Sequence, residues 1–521
     1  MKNSYKKILY TIIIAPLLGA GGAFVSSCDK TITEPIKEAY IPANLDANAG
    51  TWKTYILTNA NQVAVVAPKA STDAAYLKEL DSLKNKILPA LTNTNKDAIA
   101  YWGAGAAYRW NEIARELAAR YNLAPAYNTT TNSYPVPNAA DPTADPKFPF
   151  ANPPYTARAL AYLSVAQYDA LVATWNYKYK YNRKAPSKND ASILPLLPVS
   201  DLPSYPSEDA VVAGASYTIL VAMFPGEVLY LEAKLAEAKN ARVWAGTNVP
   251  SDITAGESLG KAVGAAIMAK ARTDGMSAAN NQALVAGQIE AAKGRGIKDT
   301  WLSQETPIRP PMLPNYGAVA TWNFDKTTMV SIRPKIPYIV GSAEWQKEHE
   351  ELEKINKSQT REQARIANYW ADGAGSYTPP GHWHRAAANA AHDAKFSEVR
   401  MARTLALLGT TLMDAGIACW DTKYYYYTPR PQQFGLKTSV GLPNFPSYTS
   451  GHSTFSAAAA TVLGSIFPDK AAEFTAQAKQ ASDSRVFGLI HYRIDCEMGL
   501  VHGKKIGEYA IARGKVDGSG L

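Results

Sequence analysis

The stretch SRVFGLIHYRID, Ser484 to Asp495, carries the spacing on which the reading of this chain turns. Arg485 is followed after five residues by His491, and His491 after three more by Asp495. A histidine and an aspartate four apart share one face if the segment is helical. A carboxylate beside an imidazole holds one tautomer and raises its basicity. Such a histidine suits a nucleophile or a ligand to an electrophilic centre. Arg485 adds fixed positive charge in a planar fork that matches an oxyanion.

Two further segments complete the set. KYYYYTPRPQ, Lys423 to Gln432, places a lysine, six intervening residues and then Arg430-Pro431, with four tyrosines among the six. FPSYTSGHS contains Ser450, Gly451 and His452 and precedes the Ala-rich run FSAAAATVLG, so it is expected to open a helix. Free N–H groups at a helix start bind oxyanions, and glycine permits close approach. His452 then stands beside that anion as an acid or base. Each part alone is weak. A lysine and an Arg-Pro pair usually lie on the surface, Ser-Gly-His is more often a helix cap, and a lone histidine is more often a satisfied core residue. All three in this order describe a tetrahedral-oxyanion site with two histidines in different roles.

The chain has 521 residues, 46% hydrophobic and 19% charged, enough for a large core and two or more structural units. Its formal charge of +9 includes three lysines and no acid within residues 1–27. Elsewhere lysines and acids interleave, as in EWQKEHEELEKINKSQTREQAR, so no basic patch points to nucleic acid. MKNSYKK followed by ILYTIIIAPLLGAGGAF reads as a secretory signal over residues 1–27. The small-residue run ending in Cys28 resembles a bacterial lipobox, in which the cysteine is lipidated after cleavage; a plain cleaved signal is the alternative. No later run approaches the ~20 apolar residues of a spanning helix. The expected product is an exported lipoprotein, periplasmic or anchored at the outer membrane, touching the membrane through its lipid alone. Cys419 and Cys496 are the remaining cysteines. They form a disulfide if their motifs converge, or stay as two buried thiols.

Residues 28–45 read as a lipidated cysteine and tether. Helical periodicity dominates beyond it. The candidates include TDAAYLKELDSLKNKI, DAIAYWGAGAAYRWNEIARELAARY, PYTARALAYLSVAQYDALVATW and GESLGKAVGAAIMAKAR, and SEDAVVAGASYTILVAM opens with a capping serine and two acids. The stretches 122–155, 181–207 and 297–338 are irregular, and loops of this length are usually functional or cover something. Strand patterns are few, and no internal repeat is visible. The expectation is a mainly α protein of helical bundles with long loops: an N-terminal helical region over 46–340 and a catalytic bundle over 341–521.

The set K-x6-RP, SGH and SR-x5-H-x3-D resembles the type 2 phosphatidic acid phosphatase and vanadium-dependent haloperoxidase superfamily. The resemblance is specific over Lys423 to Asp495 and extends loosely to NYWADGAGSYTPPGHW, Asn368 to Trp383, similar to a segment of the haloperoxidase branch. Thr449 stands where the common phosphatase form has proline. The resemblance implies a fold of two helical bundles. It makes His491 the axial ligand of vanadate, or the covalent nucleophile of a phosphatase, with Asp495 orienting it. It makes His452 the acid–base group, and gives the equatorial oxygens to Lys423, Arg430 and Arg485 with the Ser450 hydroxyl and Gly451 N–H. Asp372 would pair with one of the arginines. Trp420 and Phe445 are similar to the aromatic halide-side pocket of chloroperoxidase-type enzymes, where ring edges favour a polarizable halide; ordinary core aromatics are the alternative. His382 and His384 in GHWHR suit a helix start better than a metal site, and His349, His392 and His502 read as helix residues.

Vanadate and phosphate are both tetrahedral, so these motifs do not separate the two chemistries. The size of the body and the missing membrane helices favour a vanadate-dependent haloperoxidase, which oxidises halide with peroxide. A periplasmic phosphomonoesterase without cofactor, working through a phosphohistidine at His491, comes second. A non-catalytic lipid-anchored binding protein, with 30 Tyr and 11 Trp to stack on sugars, comes third.

Overall fold

The structure, a computed structural model, describes residues 37–123, 128–134 and 152–520. The signal, Cys28 and the first part of the tether lie outside the described residues. Among the described residues the fold is helical, and the only β feature is one isolated bridge, Asn128 to Ser133. None of these helices is long and apolar enough to cross a membrane.

Local sequence explains most helix ends. Ser207 caps the helix Glu208–Met223, accepting from the Ala210 N–H at 3.4 Å, with Glu208 and Asp209 in its first turn. Asp73 caps Ala74–Ser82 in the same way. The run expected as one helix near residue 100 is instead two, Asn93–Trp102 and Ala106–Tyr121. Gly105 breaks it at φ +109°, and the Glu398 carboxylate caps the second helix from far along the chain, accepting from the Ala106 and Ala107 N–H groups.

Eight helices build two bundles. The first contains α1 (Pro153–Tyr181), α2 (Glu208–Met223), α3 (Val228–Trp244) and α4 (Pro250–Ala271). The second contains α5 (Glu398–Tyr426), α6 (Gly451–Ile466), α7 (Ala471–Phe487) and α8 (Arg493–Gly514). The long helices α1 and α5 pack on each other between the bundles. All of this belongs to one unit running from Lys37.

The bundles are copies of each other, which corrects the expectation that the chain has no repeat. Corresponding helices match in length: 29 residues for α1 and α5, 16 for α2 and α6, 17 for α3 and α7, 22 for α4 and α8. The fixings match too. Arg158 of α1 bonds Asp274 and the Ala271 carbonyl at the end of α4; Arg403 of α5 bonds Asp517 and the Gly514 carbonyl at the end of α8. Mid-helix Asp169 accepts the N–H groups of Tyr55, Ile56 and Leu57, and Asp414 those of Trp322 and Asn323. In each bundle a glycine lets two helices touch. A Cβ on Gly260 would stand 2.0 Å from the Val211 carbonyl oxygen, and one on Gly503 2.2 Å from that of Thr454.

The end of α5, the start of α6, the end of α7 and the start of α8 meet at one end of the second bundle. Helix Ala343–Ser358 buttresses that end, with Leu352 and Ile355 in one core cluster with Val486, Leu489 and Tyr492.

Candidate active site

His491 lies in the turn between α7 and α8, not on a helix face. Tyr492 is the N-cap of α8, and Asp495 turns back to accept the Tyr492 N–H at 3.2 Å. Cap geometry, not helical spacing, therefore joins the pair. His491 Nδ1 is 3.0 Å from Asp495 Oδ2. Ser447 Oγ donates to that oxygen at 2.5 Å and lies 3.1 Å from the same imidazole nitrogen. Arg430 Nη1 is 3.4 Å from His491 Nε2. A guanidinium only donates, so these partners assign the proton to Nδ1 and leave a lone pair on Nε2.

The cations are fixed by backbone. Arg430 Nη1 donates to the Ile490 carbonyl at 2.7 Å and its Nε to that of Phe445 at 2.9 Å. Arg485 donates through Nη2 to the Ala367 carbonyl at 3.0 Å and through Nε to Ser484 Oγ at 2.9 Å. Lys423 spends its three donors on the carbonyls of Pro446, Ser447 and Thr449, at 3.0, 2.7 and 2.6 Å. It therefore holds the loop that carries Ser447 and Ser450, and its charge reaches the site as a field. Ser450 caps α6 and ties it to α8, donating its N–H to the Asp495 carbonyl at 2.9 Å.

Lys423, Arg430 and Arg485 are 0, 1 and 1% exposed, which rules out a solvated surface run. Burial, with Arg430 nearby, pushes the Lys423 ammonium down to about 8. Burial lowers Arg430 to about 9 and Arg485 to about 10. Burial, reinforced by Arg430 and the other cations, holds His491 well below its ordinary value; burial and Arg485 do the same to His452. Both imidazoles are neutral at pH 7. The carboxylates are Asp495, pushed up by burial to about 6, and Asp372, whose charge supports Arg485 while its Oδ1 faces His382 Nδ1 at 3.4 Å. Three buried cations against two carboxylates leave excess positive charge, and buried charge is stable only when compensated.

His452 is the second residue of α6, beside the backbone of Trp370 and Ala371, and its buried Nε2 has no protein partner. A Cβ added at Gly451 would meet nothing nearer than Phe455 at 3.9 Å. A lone pair on His491, an orphaned nitrogen on His452, space before Gly451 and excess positive charge fit a tetrahedral oxyanion, vanadate or phosphate. Trp420 and Phe445 come together at 4.8 Å, and Lys423 and Arg430 each lie 5.1 Å from the Phe445 ring centre.

The tyrosines of the lysine–arginine run moor the 297–338 segment over this end of the bundle; the segment is not wholly irregular as expected, since Asp325 caps a short helix, Lys326–Ile332, within it. Tyr424 and Tyr426 donate to the carbonyls of Met312 and Pro334, and Tyr425 is sandwiched between Arg295 and Arg333 at 3.7 and 3.8 Å. Cys419 and Cys496 are two buried free thiols. GHWHR lies in the first turns of helix Thr378–Asp393, where His384 Nδ1 meets Asn111 at 3.0 Å. Ser447 was not singled out from sequence. A serine three before Ser450 has no signal of its own, and its contact with Asp495 spans 48 positions.

Residues 403–507 match the PAP2 superfamily model. A bacterial vanadium-dependent iodoperoxidase of known structure is 21% identical, with 69% of this chain covering 91% of that one at a TM-score of 0.54. Two structures of bacterial vanadium-dependent chloroperoxidase are also similar. The holo form is 13% identical over 75% of this chain and 98% of that one (TM-score 0.49), and the apo form 12% over 68% and 92% (TM-score 0.46). No curated protein sequence matches the chain. The fold is the all-α fold of the vanadium-dependent haloperoxidases. Within it, the second bundle carries the PAP2-superfamily segment that the motifs had indicated.

Proposed function

We propose that the chain is a vanadate-dependent haloperoxidase that holds its oxyanion at the end of α5 to α8. The observation that carries this reading is the convergence of three buried cations on a histidine whose Nε2 keeps its lone pair. In this reading His491 Nε2 would hold the vanadate, and Arg430, Arg485, the Gly451 N–H and the Ser450 hydroxyl would neutralise and bind its oxygens. Bound vanadate supplies a Lewis-acid centre at which hydrogen peroxide and a proton convert halide to hypohalous acid and water. The chain's own part is to neutralise the anion, to keep His491 aimed through Asp495 and Ser447, and to move protons at His452 Nε2. The Trp420–Phe445 pair beside Lys423 favours halide chemistry over ester hydrolysis. We further propose export and lipid attachment at Cys28.

The test uses protein lacking residues 1–28. Iodide, bromide and chloride oxidation by peroxide is followed with and without orthovanadate, beside p-nitrophenyl phosphate hydrolysis. Halide oxidation that requires vanadate supports the proposal. Hydrolysis inhibited by vanadate, without halide oxidation, replaces it with a phosphohistidine phosphatase. Neither activity leaves an oxyanion-binding protein.

A further inference from the structure

The repeat extends to the site itself. Lys178 holds the place of Lys423 in its helix, Ser207 that of Ser450, Arg242 that of Arg485 and Asp252 that of Asp495. PSYPS, Pro203 to Ser207, answers PSYTS, Pro446 to Ser450, and Arg242-x5-Asn248-x3-Asp252 answers Arg485-x5-His491-x3-Asp495. The hydrogen bonds repeat as well. Lys178 Nζ donates to the Pro203 carbonyl at 2.5 Å, as Lys423 does to that of Pro446. The Ser207 N–H donates to the Asp252 carbonyl at 3.0 Å, as Ser450 does to Asp495. The Val249 N–H donates to Asp252 Oδ2 at 3.1 Å, as Tyr492 does to Asp495.

The copies differ in three respects. Asn248 replaces His491, Glu208-Asp209 replaces Gly451-His452, and Ala185-Pro186 stands where the second bundle has Arg430-Pro431, the third cation coming instead from Arg183. Both acids point inward. Glu208 pairs with Lys178 at 2.6 Å, Asp209 with Arg242 at 3.0 Å, and Asp252 with Arg183 at 2.8 Å. Each cation of the first bundle thus has its own carboxylate, whereas the second bundle has a positive excess. Against the cost of burial, Lys178 and Arg242 hold the Glu208 carboxyl low. A further carboxyl beside the pair, Glu398, is pushed up to about 8 by burial and by Asp209, as expected where the positive charge is already matched. A cleft adjoins Glu208, Asp209 and Arg242, lined also by Trp175, the counterpart of Trp420.

We propose that the first bundle holds a second tetrahedral-oxyanion site, closed by the protein's own carboxylates: Glu208 and Asp209 stand where the anion's charge sits in the second bundle. With those carboxylates removed the site would take the same ligand class, orthovanadate or orthophosphate, and with an amide in place of the histidine it would bind without chemistry. This rests on the reading of the second bundle as an oxyanion site.

The test is isothermal titration of the full mature chain with orthovanadate. Wild type is expected to take one vanadate per chain, and E208G/D209H, which copies Gly451-His452, two. A folded E208G/D209H chain that still takes one overturns the proposal, as does a wild-type chain that takes two. If that variant does not fold, E208Q/D209N keeps the shape and removes the charge. Vanadate should then raise its Tm by several degrees more than that of wild type, and an equal shift overturns the proposal. Failure of the second-bundle reading looks different: wild type takes no vanadate, and the E208Q/D209N shift still reports on the first bundle.

Discussion

Ser447 bonds both members of the His491–Asp495 pair, so its removal should be felt at His491 Nε2 without any direct contact to an anion. Partners of this kind cost 10–100-fold in ligand affinity when lost, on the order seen around metal ligands. Ser447→Ala is expected to weaken orthovanadate binding by about that factor in a titration, with Tm changed by only a few degrees. Lys423 gives a pH dependence. Burial sets its free-state pKa near 8, and an anion binds the ammonium form, so affinity should fall as pH rises above 8, by up to about tenfold per unit. The groups whose charges act on it, Arg430, Asp495, Cys419 and Cys496, are included in that position. A phosphate dissociation constant that stays flat from pH 7 to 9.5 would count against the assignment. At this scale the sequence was informative for charges and histidines, because their spacing is fixed by chemistry. It was silent on Ser447 and on the three carbonyls that absorb the Lys423 donors, because those contacts depend on how a loop returns.

At the scale of elements, the site depends on α6 and α8 being in contact. The missing side chain of Gly503 lets the Thr454 carbonyl come close, and Ser450 then reaches the Asp495 carbonyl. Gly503→Ala pushes a Cβ against backbone that has no room to give. It should cost about 1–3 kcal/mol in denaturant unfolding and weaken vanadate binding in the same protein. Gly287→Ala, where an added Cβ meets nothing within 4 Å, should instead gain ~0.5–1 kcal/mol. Helix starts with their own capping residue, such as Ser207, were legible in sequence. The start at Ala106 was not, because its cap is Glu398.

For the whole molecule, the duplication is the feature the sequence concealed. Matched residues are isolated positions with structural duties: Arg158 and Arg403, Asp169 and Asp414, Ser207 and Ser450, Gly260 and Gly503. Between them the side chains have diverged, and four of the site residues, Arg430, Gly451, His452 and His491, are replaced in the first half by Ala185, Glu208, Asp209 and Asn248. The signal was present in PSYPS against PSYTS and ARVW against SRVF. The proposed anchor also belongs to this scale. Cys28→Ser is expected to move the protein from the membrane fraction to the soluble exported fraction, and retention in the membrane would argue against lipid attachment there.

The most direct test of the central claim, an oxyanion held by His491 under three buried cations, is calorimetric titration of orthovanadate into wild type and His491→Ala at pH 7. The account predicts saturable binding by wild type and an affinity at least ~100-fold lower in the folded variant. No binding by wild type, or equal binding by both, would contradict it.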